Sequence, residues 1–211
     1  IKTNIMTVVP RLIEKVYDKI VDNGAAAGGL KSKIFSWALS LIENYDPKKP
    51  KSFKHKIADK LVFKKWREGL GGNIAGLVSG SAALSQRLNT IFQGAGLPIL
   101  EGYGLTETSP VIAVNTLQAM KIGTVGLVLS NLDVKIQEDG EITVKGPSVT
   151  QGYYKDEEKT KEAFTEDGYF RTGDIGHIDE LGFLQITDRK KEMFKTSGGK
   201  YVAPQVIENL A

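Results

Sequence analysis

Ten residues near the middle of the chain combine side chains that can bind a ligand with glycines that let it approach. The segment 101–110, Glu-Gly-Tyr-Gly-Leu-Thr-Glu-Thr-Ser-Pro, holds two glycines, two carboxylates, one tyrosine and three Ser or Thr hydroxyls. Apolar runs at 97–100 and 111–114 enter and leave it. Loops at strand ends often carry binding residues. The composition predicts a ligand-binding loop, although a polar turn between two buried strands explains it equally well.

Three of these side chains suit a nucleotide and its metal ion. Tyr103 can lay its ring on a planar base, and Thr106 can bond a phosphate oxygen. The carboxylate of Glu107 can hold a hard divalent cation through oxygen. Short motifs often match by chance, so other segments of the chain have to support this interpretation independently.

A second polar segment, Ser79-Gly80-Ser81-Ala82, follows the apolar run 74–78 and precedes a helical pattern at 85–93. Its plain interpretation is a strand-to-helix turn capped by serines. Ligands of α/β sheets bind beyond the carboxyl ends of strands. Because strands are expected to lead into both Ser79 and Glu101, we predict that the two segments line one crevice.

Two further polar segments follow in the second half of the chain. Tyr-Phe-Arg-Thr-Gly-Asp at 169–174 looks like a strand that ends in a turn, and Asp-Arg-Lys-Lys-Glu at 188–192 like a solvated charge run. The glycine loop 195–200 that comes next lacks the Gly-x-x-x-x-Gly-Lys-Ser/Thr spacing of a Walker phosphate loop.

The elements that must position these residues change in character along the chain. Apolar residues at helical spacing predict helices at the start, and short strands alternating with helices after Gly69 indicate an α/β fold. After Asn115 the pattern becomes β-rich, with hairpin turns at Asp139-Gly140 and 180–182. The predicted helices are 10–23, 34–42, an amphipathic helix within 48–67 with Ile57, Ala58, Leu61, Val62 and Trp66 on one face, 85–93 and 156–164.

The stretch Lys48–Arg67 is strongly basic, since Asp59 is its only acid. Its cations are Lys48, Lys49, Lys51, Lys54, Lys56, Lys60, Lys64, Lys65 and Arg67. A basic amphipathic helix can lie on an anionic membrane surface, and it can equally be a helix whose lysines are solvated. We expect no nucleic-acid partner, because no recognisable binding module accompanies the lysines.

Composition excludes several classes of site. The chain has no cysteine, which excludes disulfides, a cysteine nucleophile and a cysteine metal site, and its two histidines are too few for a histidine-rich zinc site. No apolar run reaches the roughly 20 residues of a membrane span. There is no signal-peptide pattern. The start at Ile1 rather than Met leads us to expect a piece of a longer polypeptide.

The segment Tyr103–Thr108 resembles the core adenylation motif of the acyl-adenylate-forming enzymes, which include acyl-CoA synthetases, luciferases and peptide-synthetase adenylation domains. The segments 79–84, 169–174 and 188–200 resemble further motifs of this superfamily in the same order. The segments 9–17 and 201–209 are similar to its long-chain fatty-acid branch, and so the resemblance extends over nearly the whole chain.

The resemblance implies an α/β fold that is part of the large adenylate-forming domain, with an α/β subdomain and a small β-barrel-like subdomain. Residues 1–118 would belong to the α/β subdomain and 119–187 to the β-rich subdomain. Residues 188–211 would hold the hinge, with Asp188 as pivot, and the start of a small C-terminal domain. The glycine loop 195–200 would then shape the tunnel of the thiol substrate.

The implied reaction joins a fatty acid to ATP with release of pyrophosphate, after which coenzyme A displaces AMP. Thr106 and Glu107 would be catalytic, with Thr106 on the α-phosphate and Glu107 on Mg²⁺. Tyr103 would stack on adenine, and Asp174 and Arg189 would bind the ribose. The remaining residues expected to border the nucleotide are Ser79, Gly80, Ser81, Ala82, Glu101, Gly102 and Gly104.

Two elements of the superfamily are not found in this sequence, namely a Ser/Thr/Gly-rich phosphate loop before Ser79 and a late adenylation lysine. We therefore expect the 211 residues to be inactive alone. The implied location is cytoplasmic, at the inner membrane face if the stretch 48–67 binds lipid. Two alternatives stay open: an adenylating ligase for another carboxylic acid, and a non-catalytic membrane-surface scaffold.

Overall fold

The computed structural model describes residues 3–190, 194–195 and 201–202. The backbone divides into two compact units, residues 1–101 and 102–211. This boundary falls inside a strand and not at the expected subdomain boundary 118/119. A division by backbone compactness does not test the subdomain boundaries of a protein family. The ranges 1–118, 119–187 and 188–211 therefore stay predictions.

The first unit contains a parallel sheet. Its strands are β1 (Ile5–Val8), β2 (Gly76–Ser79) and the first part of β3 (Ile99–Gly104). β1 pairs with β2, and β2 with β3, both in parallel. The strands expected at 74–78 and 97–100 are therefore present but shifted towards the C-terminus. As a result Glu101–Gly104 is strand, and the expected loop begins only after Gly104.

Helices supply most of the apolar core of the first unit, in which Phe63, Ile91 and Phe92 are fully buried. Over the part of the chain that the structure describes, no helix combines the length and hydropathy needed to cross a bilayer. The helices of this unit are α1 (Pro10–Ala26), α2 (Gly29–Ser40), α3 (Phe53–Ala58), a π-helical segment (Asp59–Phe63), α4 (Lys64–Gly69) and α5 (Gln86–Gly94).

Helix α1 does not stop at Asn23-Gly24, as the sequence predicts, but continues to Ala26. Packing explains the difference, because the buried ring of Phe35 from α2 lies directly over Gly24. A Cβ at Gly24 would be 2.5 Å from atoms of that ring. Glycine at position 24 allows α1 and α2 to pack closely, and it does not end α1.

The basic stretch 48–67 is helical but not one regular amphipathic helix. Its π-helical segment adds a residue to one turn, which rotates the side chains that follow relative to those that precede. Ile57 and Leu61, expected on the inner face, are 39% and 45% exposed, whereas Phe63 is fully buried. The Arg67 guanidinium fixes this arrangement through two bonds to the Asp59 carboxylate, of 2.7 and 3.0 Å.

The second unit is an antiparallel sheet, in which the last part of β3 pairs with β4 and the pairing continues in the order β5, β9, β8, β7, β6. The two expected hairpins are confirmed, since β6 pairs with β7 and β8 with β9. The elements are β4 (Val111–Val114), β5 (Gly126–Val128), β6 (Asp133–Ile136), β7 (Glu141–Lys145), α6 (Glu157–Glu162), β8 (Phe170–Ile178), β9 (Phe183–Arg189) and the antiparallel pair β10 (Phe194–Lys195) and β11 (Tyr201–Val202).

Strand β8 differs from its prediction in one respect that affects the candidate site. The sequence predicts a strand that ends in a turn at Gly173-Asp174, but β8 passes through both residues without a break. Its register against β9 shifts between Ile175 and Gly176. Asp174 therefore lies within a sheet and has strand neighbours on both sides.

We predict opposite effects of Gly→Ala at two helical glycines of the first unit. Gly24→Ala forces the ring of Phe35 to move and should lower the free energy of unfolding by roughly 1–3 kcal/mol. Gly69→Ala is the matched control, because a Cβ there meets no atom within 4 Å, and it should raise that free energy by up to roughly 1 kcal/mol. Urea unfolding measures both, and a neutral Gly24→Ala would refute the packing argument.

Candidate functional site

Two side chains of the second unit converge on the carboxylate of Asp174. The Tyr103 hydroxyl donates to Asp174 Oδ2 over 2.6 Å, and Arg189 Nε lies 3.6 Å from Oδ1. Asp174 and Arg189 are direct partners in the register of β8 and β9, whereas Tyr103 belongs to β3. Asp174 is buried at 6% exposure, while the Arg189 side chain is 59% exposed. The structure thus brings together three residues that the sequence places in one site.

Burial and the neighbouring carboxylate both act on the Tyr103 phenol. Burial is the larger cause that raises the pKa of Tyr103, and the negative charge of Asp174 raises it further. The phenol therefore stays protonated and keeps donating to Asp174 at any ordinary pH. A carboxylate has about four lone-pair positions, so Asp174 can still accept bonds from a ligand.

The residues after β3 form a short 3₁₀ turn, Thr106–Thr108, which closes on itself. Position 104 accommodates only glycine, because a Cβ there would overlap the carbonyl oxygen of Pro110. The N–H of Leu105 donates to that same oxygen over 3.0 Å. Thr106 lies exposed on this turn, where its hydroxyl can reach a ligand.

Thr108 is the residue that holds the turn, and the sequence analysis did not assign it a role. It is fully buried, and its Oγ1 accepts from the N–H of Leu105 over 3.0 Å. The same hydroxyl lies 3.0 Å from the Leu105 carbonyl and 2.5 Å from that of Pro110, either of which accepts its proton. Only the fold reveals this, because the sequence does not distinguish Thr106 from Thr108.

Glu107 is half-buried beside the same turn, and its Oε1 accepts from the Tyr153 hydroxyl over 3.0 Å. Its backbone carbonyl accepts from the N–H of Thr150 over 2.7 Å. Within the described residues, no group of three or more acidic, histidine or cysteine side chains could hold a metal ion. A single carboxylate still suits Mg²⁺, which proteins often bind through one or two carboxylates together with substrate phosphates.

Glu141 is a second residue that sequence reasoning missed. It is 3% exposed, and its Oε1 accepts from the N–H of Gly173 over 3.2 Å. Its Oε2 accepts from Lys190 over 2.8 Å and from Arg171 over 3.2 Å. Gly173 directly precedes Asp174 and Lys190 directly follows Arg189, so this carboxylate binds the backbone of one neighbour of the pair and the side chain of the other. No local sequence signal marks Glu141, because its partners come from other strands.

The carboxyl end of the parallel sheet in the first unit holds the other candidate residues. Ser79 of β2 is paired in register with Glu101 of β3, so these two segments are neighbours, as expected. Ser79 is buried, and its Oγ has no hydrogen-bond partner among the described residues. Gly80 is half-buried, Ser81 and Ala82 are exposed, and Ser81 has a left-handed φ of 73°. The Ser85 side chain makes no capping bond, contrary to the capped-turn interpretation.

Glu101 is a buried carboxyl group with neutral partners. Asn89 of α5 donates to its Oε1 over 2.8 Å. Burial is the main cause that raises the pKa of Glu101, and the bonds from Asn89 and the Leu84 backbone only partly oppose it. The other glycines of the motif lie beyond it in the second unit, where Gly102 is half-buried and paired with Val114.

The expected pivot, Asp188, is buried at 2% exposure near the end of β9. Its Oδ1 accepts from the N–H of Arg189 over 2.7 Å, and its Oδ2 has no partner among the described residues. The glycine loop expected at 195–200 lies outside the described residues except for Lys195. The role of Asp188 as a pivot stays a prediction.

The fold and these motifs define a class, the mixed α/β domain of adenylate-forming enzymes. A family model described as AMP-binding enzyme matches residues 1–154. The chain belongs to the AMP-binding enzyme family, which confirms the resemblance inferred from the motifs. It is 45% identical to "Long-chain-fatty-acid--CoA ligase FadD15" of Mycobacterium tuberculosis, over 99% of this chain and 35% of that protein. It is 34% identical to "Long chain acyl-CoA synthetase 3" of Arabidopsis thaliana, over 100% of this chain and 34% of that protein.

Solved structures give the same fold. O-succinylbenzoate coenzyme A synthetase (MenE) of Bacillus subtilis, in complex with ATP and magnesium ion, matches with a TM-score of 0.65 at 23% identity, over 99% of this chain and 36% of that one. The ATP-bound RpMatB-BxBclM chimera B1 matches with a TM-score of 0.67 at 27% identity, over 98% and 34%. The chain thus spans about a third of the length of the proteins it matches.

The two threonines of the 3₁₀ turn provide a matched pair of variants. Thr108→Val keeps the side-chain volume but removes the bond that Oγ1 accepts from the Leu105 N–H and the bond that the hydroxyl donates to a carbonyl. The Leu105 N–H keeps the Pro110 carbonyl as acceptor, so the free energy of unfolding should fall by roughly 1–2 kcal/mol. Thr106→Val on the exposed side of the turn should stay within roughly 0.5 kcal/mol. Urea unfolding compares them, and equal effects would show that Thr108 does not hold the turn.

The buried carboxyl of Glu101 should make stability depend on pH. Because its pKa is higher in the folded than in the unfolded chain, its contribution is complete below the unfolded value and is lost as pH rises through the folded value. Glu101→Gln should therefore gain stability relative to the parent chain as pH increases from about 4.5 to 8. Urea unfolding across this range measures the difference, with exposed Glu166→Gln as control. A constant difference would contradict the burial argument.

Proposed function

We propose that this chain is part of an ATP-dependent long-chain fatty-acid–CoA ligase, which converts a fatty acid, ATP and coenzyme A to acyl-CoA, AMP and pyrophosphate through an acyl-adenylate. Support comes from membership of the AMP-binding enzyme family and from the long-chain ligase names of its relatives. The observation that carries the proposal is the convergence of Tyr103 and Arg189 on the buried carboxylate of Asp174.

The Asp174 group suits the nucleoside part of ATP. An ionised carboxylate accepts two hydroxyl donors strongly, which is what the vicinal hydroxyls of a ribose offer. Arg189 is largely exposed and can donate to the same sugar, while the ring of Tyr103 offers a face for the adenine base. Glu141 keeps this pair in place through Gly173 and Lys190, although it lies below the surface.

Charge is the physical obstacle of the first step, because a carboxylate must approach the α-phosphate of ATP and both are anionic. Thr106, exposed on its turn, is positioned to donate a hydrogen bond to a phosphate oxygen. Mg²⁺, held by Glu107 and the phosphates, would neutralise the charge that develops on the phosphate oxygens. No side chain has to act as a covalent nucleophile, since the fatty carboxylate itself attacks.

In the second step the coenzyme A thiol replaces AMP on the acyl group, and the thioester forms as the acyl–phosphate bond breaks. Rotation about Asp188 would exchange the surfaces around the adenylate between the two steps, which is a gating motion and not chemistry. The resemblance to the superfamily supports this role of Asp188, and so does its position at the end of β9.

Membrane contact through Lys48–Arg67 and a cytoplasmic location at the inner membrane face are further parts of the proposal. Phe53, Ile57 and Leu61 follow each other at four-residue intervals, and all three are exposed, with Phe53 at 77%. Exposed apolar side chains next to lysines suit an anionic lipid surface. Salt-sensitive sedimentation with anionic vesicles tests this contact.

The first experiment measures binding of Mg·ATP and of two non-hydrolysable acyl-adenylate mimics, hexadecanoyl and acetyl, to the 211-residue chain. We expect saturable binding of ATP, and tighter binding of the hexadecanoyl than of the acetyl mimic. Asp174→Ala should weaken every one of these ligands at least roughly tenfold, because the ribose hydroxyls lose a charged acceptor. Calorimetry gives the affinities.

Exposed Asp22→Ala controls for the loss of one negative charge and should leave the affinities unchanged. Equal affinity of Asp174→Ala and the parent chain for ATP would refute the nucleotide role of this group. Equal affinity for the two mimics would instead favour a ligase for another carboxylic acid.

A further inference from the structure

A groove of about 600 Å³ lies among the helices of the first unit. Its walls are apolar and come from α1, α2 and the helical segments between Asp59 and Gly69. Six wall residues are Val16, Ile20, Ile34, Phe35, Val62 and Trp66. The volume falls within the roughly 300–1,000 Å³ typical of small-molecule sites. An apolar groove of this size suits an extended hydrocarbon chain.

Three lysines, Lys19, Lys31 and Lys65, also line this groove, one from each wall. All three are exposed, and none of them forms an ion pair with another described residue. Among the residues that the structure describes, no acidic side chain lines the groove. The groove therefore joins apolar walls to three uncompensated positive charges, which is the complement of an anionic amphiphile.

The groove is separate from the Ser79–Ala82 segment and from Glu101, none of which lines it. Those residues lie at the carboxyl end of the parallel strands, beside which α1 begins at Pro10. The groove starts further along α1, at Val16, and also includes Gly69 and Leu70. After Leu70 the chain enters β2 at Gly76, which is the end of that strand opposite to Ser79. A ligand in the groove is thus remote from the carboxyl edge of this sheet.

We propose that this groove is a binding site for a long-chain carboxylate, whose hydrocarbon chain lies along the apolar walls and whose carboxylate binds the three lysines. Burial of each CH₂ group favours binding, which makes affinity rise with chain length. The ammonium groups are compact donors that suit a carboxylate at the mouth of the groove. This proposal does not depend on the proposed function, since it involves neither nucleotide nor metal.

The test measures binding of monomeric dodecanoate to the 211-residue chain by calorimetry and by fluorescence of Trp66. The chain has two tryptophans, so Trp37→Phe leaves Trp66, in the groove wall, as the only reporter. We expect one saturable site, a change in Trp66 emission, weaker binding of octanoate, and no comparable binding of dodecyltrimethylammonium, which has the same chain with a positive head.

Two variants address the groove directly. Gly69→Phe places a ring at its edge, where a Cβ meets no atom within 4 Å, and should weaken dodecanoate at least roughly tenfold. The triple variant Lys19→Gln, Lys31→Gln, Lys65→Gln should do the same while leaving the fold intact, as urea unfolding will verify. The charge-matched control, Lys15→Gln, Lys33→Gln, Lys161→Gln, replaces three exposed lysines that lie outside both the groove and the stretch 48–67, and it should stay within roughly twofold.

Asp174→Ala separates this site from the proposed nucleotide site, and it should leave dodecanoate binding unchanged. Loss of dodecanoate in that variant would overturn the groove proposal, as would full affinity in both groove variants. Association with anionic vesicles but no binding of monomeric dodecanoate would also overturn it, in favour of a lipid surface as the partner of these lysines.

Discussion

The contact between the backbone at Gly104 and the carbonyl of Pro110 is the constraint on which the candidate site of the second unit depends. Only a residue without a Cβ allows the chain to fold back so tightly at this point. The closure sets Tyr103 at the end of β3 on one side and Thr106 and Glu107 on the turn on the other. Three side chains with different proposed partners are thereby fixed by one backbone contact.

Each unit contains a buried carboxyl group, and the two groups differ in their hydrogen-bond partners. Glu141 has two cationic side chains and a backbone N–H as hydrogen-bond partners. Glu101 has an amide and a backbone donor but no cation, and burial shifts its pKa upwards. Glu141 therefore joins two cationic side chains and a backbone N–H, whereas burial opposes the charged form of Glu101.

Local sequence signals predicted those parts of the structure that local interactions determine. The hairpin at Asp139-Gly140 was predicted because turn residues and strand alternation are adjacent in the chain. Motif resemblance assigned Asp174 and Arg189 to the same ribose, and the register of two strands makes them neighbours. Glu141 escaped detection because its partners depend on strand register, which no short pattern encodes.

The basic stretch shows a different limit of sequence reasoning. Ordinary 3.6-residue periodicity placed Ile57 and Leu61 inside, whereas the structure has a π turn at Asp59–Phe63 and leaves both residues exposed. That turn is stabilised by tertiary contacts, among them the bond from Arg67 to the carbonyl of Ala95 over 2.6 Å. A helical pattern read along the chain cannot include such a contact. The same extra residue leaves Leu61 and Val62 facing the groove.

The Tyr103 hydroxyl donates to Asp174 Oδ2 and so occupies the position that a ligand hydroxyl would otherwise take. A hydroxyl group that approaches Asp174 Oδ2 meets an acceptor that is already occupied by a protein donor. Binding there is an exchange of one partner for another, so its free-energy gain is the difference between two similar bonds. Release is eased for the same reason, because the phenol is at hand to restore the broken bond. In the proposed nucleotide site, such an exchange would favour release of the ligand over tight retention.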